Sequence, residues 1–317
     1  MPSLYSVYSV DFAGLSALIS CDNGEALEFL DFLFGDLHGS TRDPSLDTSL
    51  HAVDTAADTT ATLTISLTEE LSEGTRERGE GEVYTLIDSS SKPLFTGCLD
   101  VQFAAVLFDQ VIFQLLDRRK DGIALHSGAV VSQGGTILLP GQSGSGKSTV
   151  SAWLTSEHCS CRCSYLTDEL IFLPDNDPSS VIPFPRPFCI KAGATAAIRA
   201  IMPKNGEEKM LADKHGALVP HRLLNPDFSL LPPPPPVLLI FPVYQTDVPL
   251  QIEKISVART SALLMTCNVN ARNLADHGFQ QLVQLARAIP AYRIVYSSFA
   301  EFNEQLPDLF AQAGRST

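Results

Sequence analysis

Apolar and polar positions change period several times along this chain, and each change predicts an element. Tyr5 to Phe12 alternates and predicts a strand. Glu25 to Phe34 places Leu27, Leu30 and Phe34 at helical spacing. Residues 36 to 60, rich in Asp, Ser, Thr and His, predict an exposed loop. Thr62 to Leu67 alternates, Glu69 to Glu82 is a charged turn, and Glu82 to Ile87 with Pro93 to Cys98 predicts a strand pair. Phe103 to Arg118 is an amphipathic helix with Leu107, Phe108, Val111, Ile112, Leu115 and Leu116 on one stripe. Ile123 to Val131 and Thr136 to Pro140 flank a Ser-Gln-Gly-Gly turn, which predicts an antiparallel hairpin. Beyond it come a helix over 147–155, a strand or strand pair over 163–173 and a short helix over 192–201. Residues 203 to 230 are poorly patterned and read as a loop over the site. The five prolines 232–236 read either as a docking motif or as a stiff lead-in to the strand 237–241. A strand over 250–256, helices over 260–266 and 274–288, a strand over 292–296 and a helix over 299–312 complete the pattern.

This order divides the chain into an α+β lobe over 1–102 and a larger α/β domain over 103–317. The lobe carries no obvious chemistry, so recognition or assembly is its expected work. The apolar fraction of 44% is enough for a sizeable core, and the net charge of −14 argues against unaided binding to nucleic acid or anionic membranes. No run of about 18 apolar residues predicts a membrane span. The N-terminus lacks the basic-then-apolar layout of a signal peptide. An odd count of seven cysteines does not build a disulfide framework, so a reducing cytoplasm is the expected location.

Between the second strand of the hairpin and the next helix lies Gly141-Gln-Ser143-Gly144-Ser145-Gly146-Lys147-Ser148-Thr149. It fits G-x-x-x-x-G-K-[ST], in the strand–loop–helix context that gives the motif its meaning. Small residues let successive N–H groups turn inward toward phosphate oxygens, and the helix start adds a positive dipole end. Lys147 is expected to reach the β and γ phosphates and Ser148 to place its hydroxyl on Mg²⁺, so a nucleoside triphosphate such as ATP is the expected ligand.

Four further features carry candidate chemistry. Asp168 and Glu169 lie about twenty residues past the loop. There a carboxylate could hold Mg²⁺ or accept a hydroxyl proton; the alternative is a charged turn between two strands. His126 comes toward the phosphates if the hairpin forms; the alternative is a satisfied core histidine on the strand. Arg186 and Lys191 flank an extended segment and could neutralise transferring phosphate charge, or pair at the surface. Cys159, Cys161 and Cys163 alternate, a spacing open to a soft metal but suited to a packed strand end.

The segments LHSGAV, ILLPGQSGSGKST, LTDEL and PFPRPFCIK, with VLLIFPVY and AIPAYRIVYSSF further on, resemble the HPr kinase-related proteins. These are relatives of the catalytic domain of bacterial HPr serine kinase/phosphorylase, and their fold is akin to phosphoenolpyruvate carboxykinase. The resemblance implies a P-loop kinase domain of that type with a smaller N-terminal lobe. It implies Gly141, Ser143, Gly144, Ser145, Gly146, Lys147, Ser148 and Thr149 as the nucleotide loop. His126 would be an active-site histidine, and Asp168 the base toward an acceptor hydroxyl. Asp168 and Glu169 would hold Mg²⁺ with Ser148, and Arg186 would assist. The chain has Glu169 where the family has a second Asp, and CIKAGATAAI where it has Glu-x-Arg-Gly-x-Gly. The acceptor expected is therefore a serine of a peptide or small protein other than HPr, such as a lasso-peptide-type precursor. A nucleotide-sensing module without phosphotransfer and a kinase of a small-molecule hydroxyl stay open. Hexamers occur in that family, so a homo-oligomer stays open too.

Overall fold

The structure is a computed structural model, and it describes residues 6–38, 62–68, 82–177 and 179–313. The loop expected over most of 36–60 and the turn expected over 69–82 lie almost wholly outside the described residues. The chain forms two compact units, Met1–Leu115 and Leu116–Thr317. No helix among the described residues is long and apolar enough to cross a membrane.

In the first unit, strands β1 (Ser6–Phe12), β2 (Leu15–Cys21), β3 (Thr62–Leu67), β4 (Tyr84–Ile87) and β5 (Pro93–Gly97) form one sheet in that order. Helix α1 (Gly24–Phe34) starts at Asn23, whose side chain accepts from the Ala26 N–H. Helix α2 (Val101–Leu116) was expected to open the larger domain. Instead it closes the first unit, because Phe103 packs edge-on against Phe29 and Phe95, and Phe108 against Phe34. The boundary therefore falls at 115/116 rather than 102/103. Strand β2 is absent from the expectations because its apolar alternation is short and begins at an exposed turn.

The second unit is a mixed α/β structure. Strands β6 (Gly122–Ser132) and β7 (Gly135–Pro140) form the expected antiparallel hairpin, with Ser127 opposite Pro140. Helix α3 (Lys147–Thr155) follows, then β8 (Ser164–Thr167), β9 (Leu170–Pro174), β10 (Ile182–Pro183), β11 (Phe188–Lys191) and α4 (Thr195–Arg199). Next come β12 (Leu211–Asp213), β13 (Gly216–Val219), β14 (Pro236–Tyr244), β15 (Gln251–Lys254), α5 (Val257–Cys267), α6 (Phe279–Ala288), β16 (Ala291–Tyr296) and α7 (Phe299–Ala313). The main sheet runs β10-β9-β6-β7-β14-β16-β15, with β8 also on β6. Its centre, β7-β14-β16, is parallel. These strands are buried on both faces, so they read as apolar runs. Ile137, Leu139, Leu238 and Ile240 pack against Trp153 of α3 and Phe302 and Leu306 of α7. The intervening Leu138, Leu239 and Phe241 pack against Leu264 of α5 and Leu282 of α6. The period-two alternation of a strand thus assigns helices to two faces.

Two expectations are corrected here. Residues 203–230 are not a loop over the site: β12 and β13 join β11 in a three-stranded sheet. Ala217 and Val219 pack with Phe188, Ile190 and Tyr165, while the intervening turn is held by Asp213 accepting from His215 and Gly216. The strands are too short to show a period. Helix α6 begins at Phe279 rather than Leu274, because Asp276 and His277 adopt left-handed backbone.

Candidate active site

The glycine-rich loop leaves the carboxyl end of β7, beside β6 on one side and β14 on the other. In a sheet with parallel centre strands this end is where ligands bind. The Gly141 N–H donates to the His126 carbonyl at 3.3 Å, and that of Ser145 to the Gln142 carbonyl at 3.2 Å. Gly144 and Gly146 have φ of 88° and 98°, a region that disfavours side chains. Gly146 is also packed: a Cβ there would lie 2.6 Å from Tyr296 Oη. It caps α3, so the first amides of that helix open on the loop. Lys147 is buried and its Nζ donates to the Gln142 carbonyl at 3.1 Å. Burial pushes the Lys147 ammonium below its ordinary value, and the Glu169 and Asp168 carboxylates oppose that shift.

Asp168 and Glu169 occupy the bend between β8 and β9. Both carboxylates reach the Arg186 guanidinium, but they differ in exposure and in their other partners. Asp168 is 0% exposed. The Cys189 N–H donates to its Oδ2 at 3.3 Å, the Arg186 Nε donates to its Oδ1 at 3.4 Å, and Tyr165 Oη lies 3.3 Å from Oδ1. Glu169 is held beside β6 by its carbonyl, which accepts from the Ser127 N–H. Its Oε2 accepts from Arg186 Nη2, and its Oε1 lies 3.3 Å from His126 Nε2. Burial alone raises the Glu169 carboxyl. The Arg186 guanidinium, the His126 hydrogen bond and the Lys147 charge outweigh it and hold the group at about 2. The same two carboxylates keep the buried Arg186 protonated against its desolvation.

A cavity of about 430 Å³ opens over these groups. Ser143, Gly144, Gly146, Lys147, Ser148 and Thr149 of the loop line it, together with His126, Glu169 and Arg186. Gly141 and Ser145 do not; they shape the loop from behind. Asp168 does not line it either. Asp168, the expected base, is buried against Arg186, while Glu169 and His126 line the cavity. Lys191 arrives from the end of β11, its Nζ donating to Ser143 Oγ at 3.1 Å. Ser148 and the ionised Glu169 offer hard oxygen donors in one cavity, a set that suits Mg²⁺.

Three aromatic residues missed in the sequence complete the wall: Tyr244, Tyr296 and Phe299. The signal that could have found Tyr244 and Tyr296 is that each ends a strand of the parallel centre. Away from the site, Cys159 and Cys163 are buried beneath Trp153, and burial raises the Cys159 thiol to about 11. Among the described residues no group of three His, Cys, Asp or Glu is arranged to hold a metal. Compared with protein-family models and with curated proteins, the chain finds no match in either.

Proposed function

We propose that this protein is an ATP- and Mg²⁺-dependent kinase with a P-loop kinase domain of the HPr kinase-related type, transferring the γ-phosphate to a serine of a peptide or small protein. The observation that carries the reading is the His126–Glu169–Arg186 constellation opening on the same cavity as Lys147 and the loop amides. Phosphoryl transfer asks for little beyond positioning and charge stabilisation. The loop amides and Lys147 bind the β and γ phosphates. Arg186 and Lys191 place positive charge where the transferring group spreads negative charge. Ser148 and Glu169 would hold Mg²⁺, which when bound neutralises phosphate charge. His126, oriented by Glu169, takes the proton of the acceptor hydroxyl as the serine oxygen bonds to phosphorus. The bond from that phosphorus to the β-γ bridging oxygen breaks, and ADP leaves with the electron pair. The cavity opens to solvent, so an acceptor side chain of a peptide can approach from outside.

The test is incubation with Mg²⁺, γ-labelled ATP and candidate serine peptides, read by mass spectrometry. One phosphate gained on a serine, and lost with His126→Asn, supports the kinase. Tight ATP binding with no transfer to peptide, protein or small hydroxyl compound replaces it with a nucleotide-sensing module.

A further inference from the structure

The aromatic wall is more built than a chance exposure of one ring. Tyr244 ends β14 and is 53% exposed, yet its main chain is tied to the nucleotide loop, donating to the Ser145 carbonyl at 3.2 Å. The next N–H, from Gln245, donates to the Tyr296 carbonyl at 3.0 Å. Tyr296 supports the ring edge-to-face at 5.6 Å and 64°, and is itself 2% exposed. Phe299 stacks on Tyr296 at 5.5 Å and on Trp153 at 4.8 Å, the latter pair within 4° of coplanar. A half-exposed tyrosine at a cavity wall, backed by a packed ring cluster, is a surface for another flat ring. The tyrosines back on Gly146 at the start of α3, and the same cavity is lined by Lys147, His126, Glu169 and Arg186.

We infer that Tyr244 is the stacking platform for the base of the bound nucleotide, and that the site takes adenine and guanine nucleotides alike. The inference rests on the proposed binding of a nucleoside triphosphate in this cavity. Its second half follows from what could read a base edge. Among the described residues lining the cavity none is Asp, Asn or Gln, and Glu169 is taken up by Arg186, His126 and the proposed Mg²⁺. Ser297 lines the wall but donates to the Val248 carbonyl at 2.7 Å. The two main-chain N–H groups beside the platform are both used, as above. Stacking without edge readout is tolerant of the base, because every base has a π-face.

The experiment is equilibrium binding of ATP, GTP and inorganic tripolyphosphate with Mg²⁺ to the full chain. Its single tryptophan, Trp153, stacked on Phe299, is the fluorescent reporter, with calorimetry as the check. ATP and GTP are expected to bind within about 10-fold of each other. Tyr244→Ala should weaken both by roughly 5- to 150-fold and leave tripolyphosphate unchanged, while Tyr244→Phe keeps the parent affinities. A preference for one base above about 100-fold overturns base tolerance. Tripolyphosphate binding with ATP affinity indifferent to Tyr244 overturns the platform and leaves the kinase reading standing. If the parent protein binds neither ATP nor tripolyphosphate, the nucleotide reading fails and the platform fails with it.

Discussion

Replacing Glu169 by Gln removes the charge that joins His126, Arg186 and the glycine-rich loop, and the depression of its carboxyl bounds the effect. The carboxyl is held at about 2 against an ordinary 4.5, by Arg186, His126 and Lys147 acting against its burial. At about 1.4 kcal/mol per pH unit, that difference is worth at most about 3 to 4 kcal/mol of folding free energy. A quarter of the side chain still faces solvent, which places the measured value below that ceiling. Because the folded-state value is depressed, the contribution is complete above 4.5 and is lost as pH falls toward 2. Urea unfolding of the parent and Glu169→Gln at a series of pH values is the assay. Near pH 7 the variant should be less stable by about 1–3 kcal/mol, and the gap should close on acidification through that window. Only the difference between the two proteins is informative, since other carboxylates titrate in both. A gap that stays constant from pH 7 to the acid limit would falsify the assignment of Glu169 as the charge held by Arg186.

Three further outcomes follow from the same geometry. His126→Asn should lower kcat by roughly 10²- to 10⁴-fold with ATP affinity retained, in stopped-time transfer assays; unchanged turnover removes His126 as the proton acceptor. Asp168→Asn, wholly buried against Arg186, should destabilise the fold by about 3–5 kcal/mol in urea titration; a stable variant deficient only in turnover restores Asp168 as the base. Gly146→Ala places a Cβ 2.6 Å from Tyr296 Oη at a φ of +98°. Left-handed strain of about 1–2 kcal/mol and overpacking of about 1–3 kcal/mol should lower the melting temperature and abolish tripolyphosphate binding. Parent-like melting and binding in this variant rule out the close approach of the loop to β16.

By itself the sequence determined the frame of the site. The runs at 123–131 and 136–140, separated by Ser-Gln-Gly-Gly, specify a hairpin because strand propensity and turn chemistry agree locally. The hairpin then places His126 beside the loop, and the loop's glycines and lysine are written in consecutive residues. The apolar runs of β14 and β16 were legible for the same reason: each reports its own burial. Tertiary structure decided what depends on partners far along the chain. Nothing local chooses which of two neighbouring acids faces the cavity. Arg186 reaches both carboxylates; the Cys189 amide, brought by the segment leading into β11, holds Asp168 in the interior, while Glu169 meets His126 at the cavity. The aromatic wall gathers residues 244, 296 and 299 about 100 to 150 positions from the loop, a meeting set by the parallel order β7-β14-β16. Helix α2 likewise reads as amphipathic wherever it docks, and only the rings of Phe29, Phe34 and Phe95 assign it to the first unit. A periodic pattern names the face to be buried; the partner that buries it is fixed by packing across the whole chain.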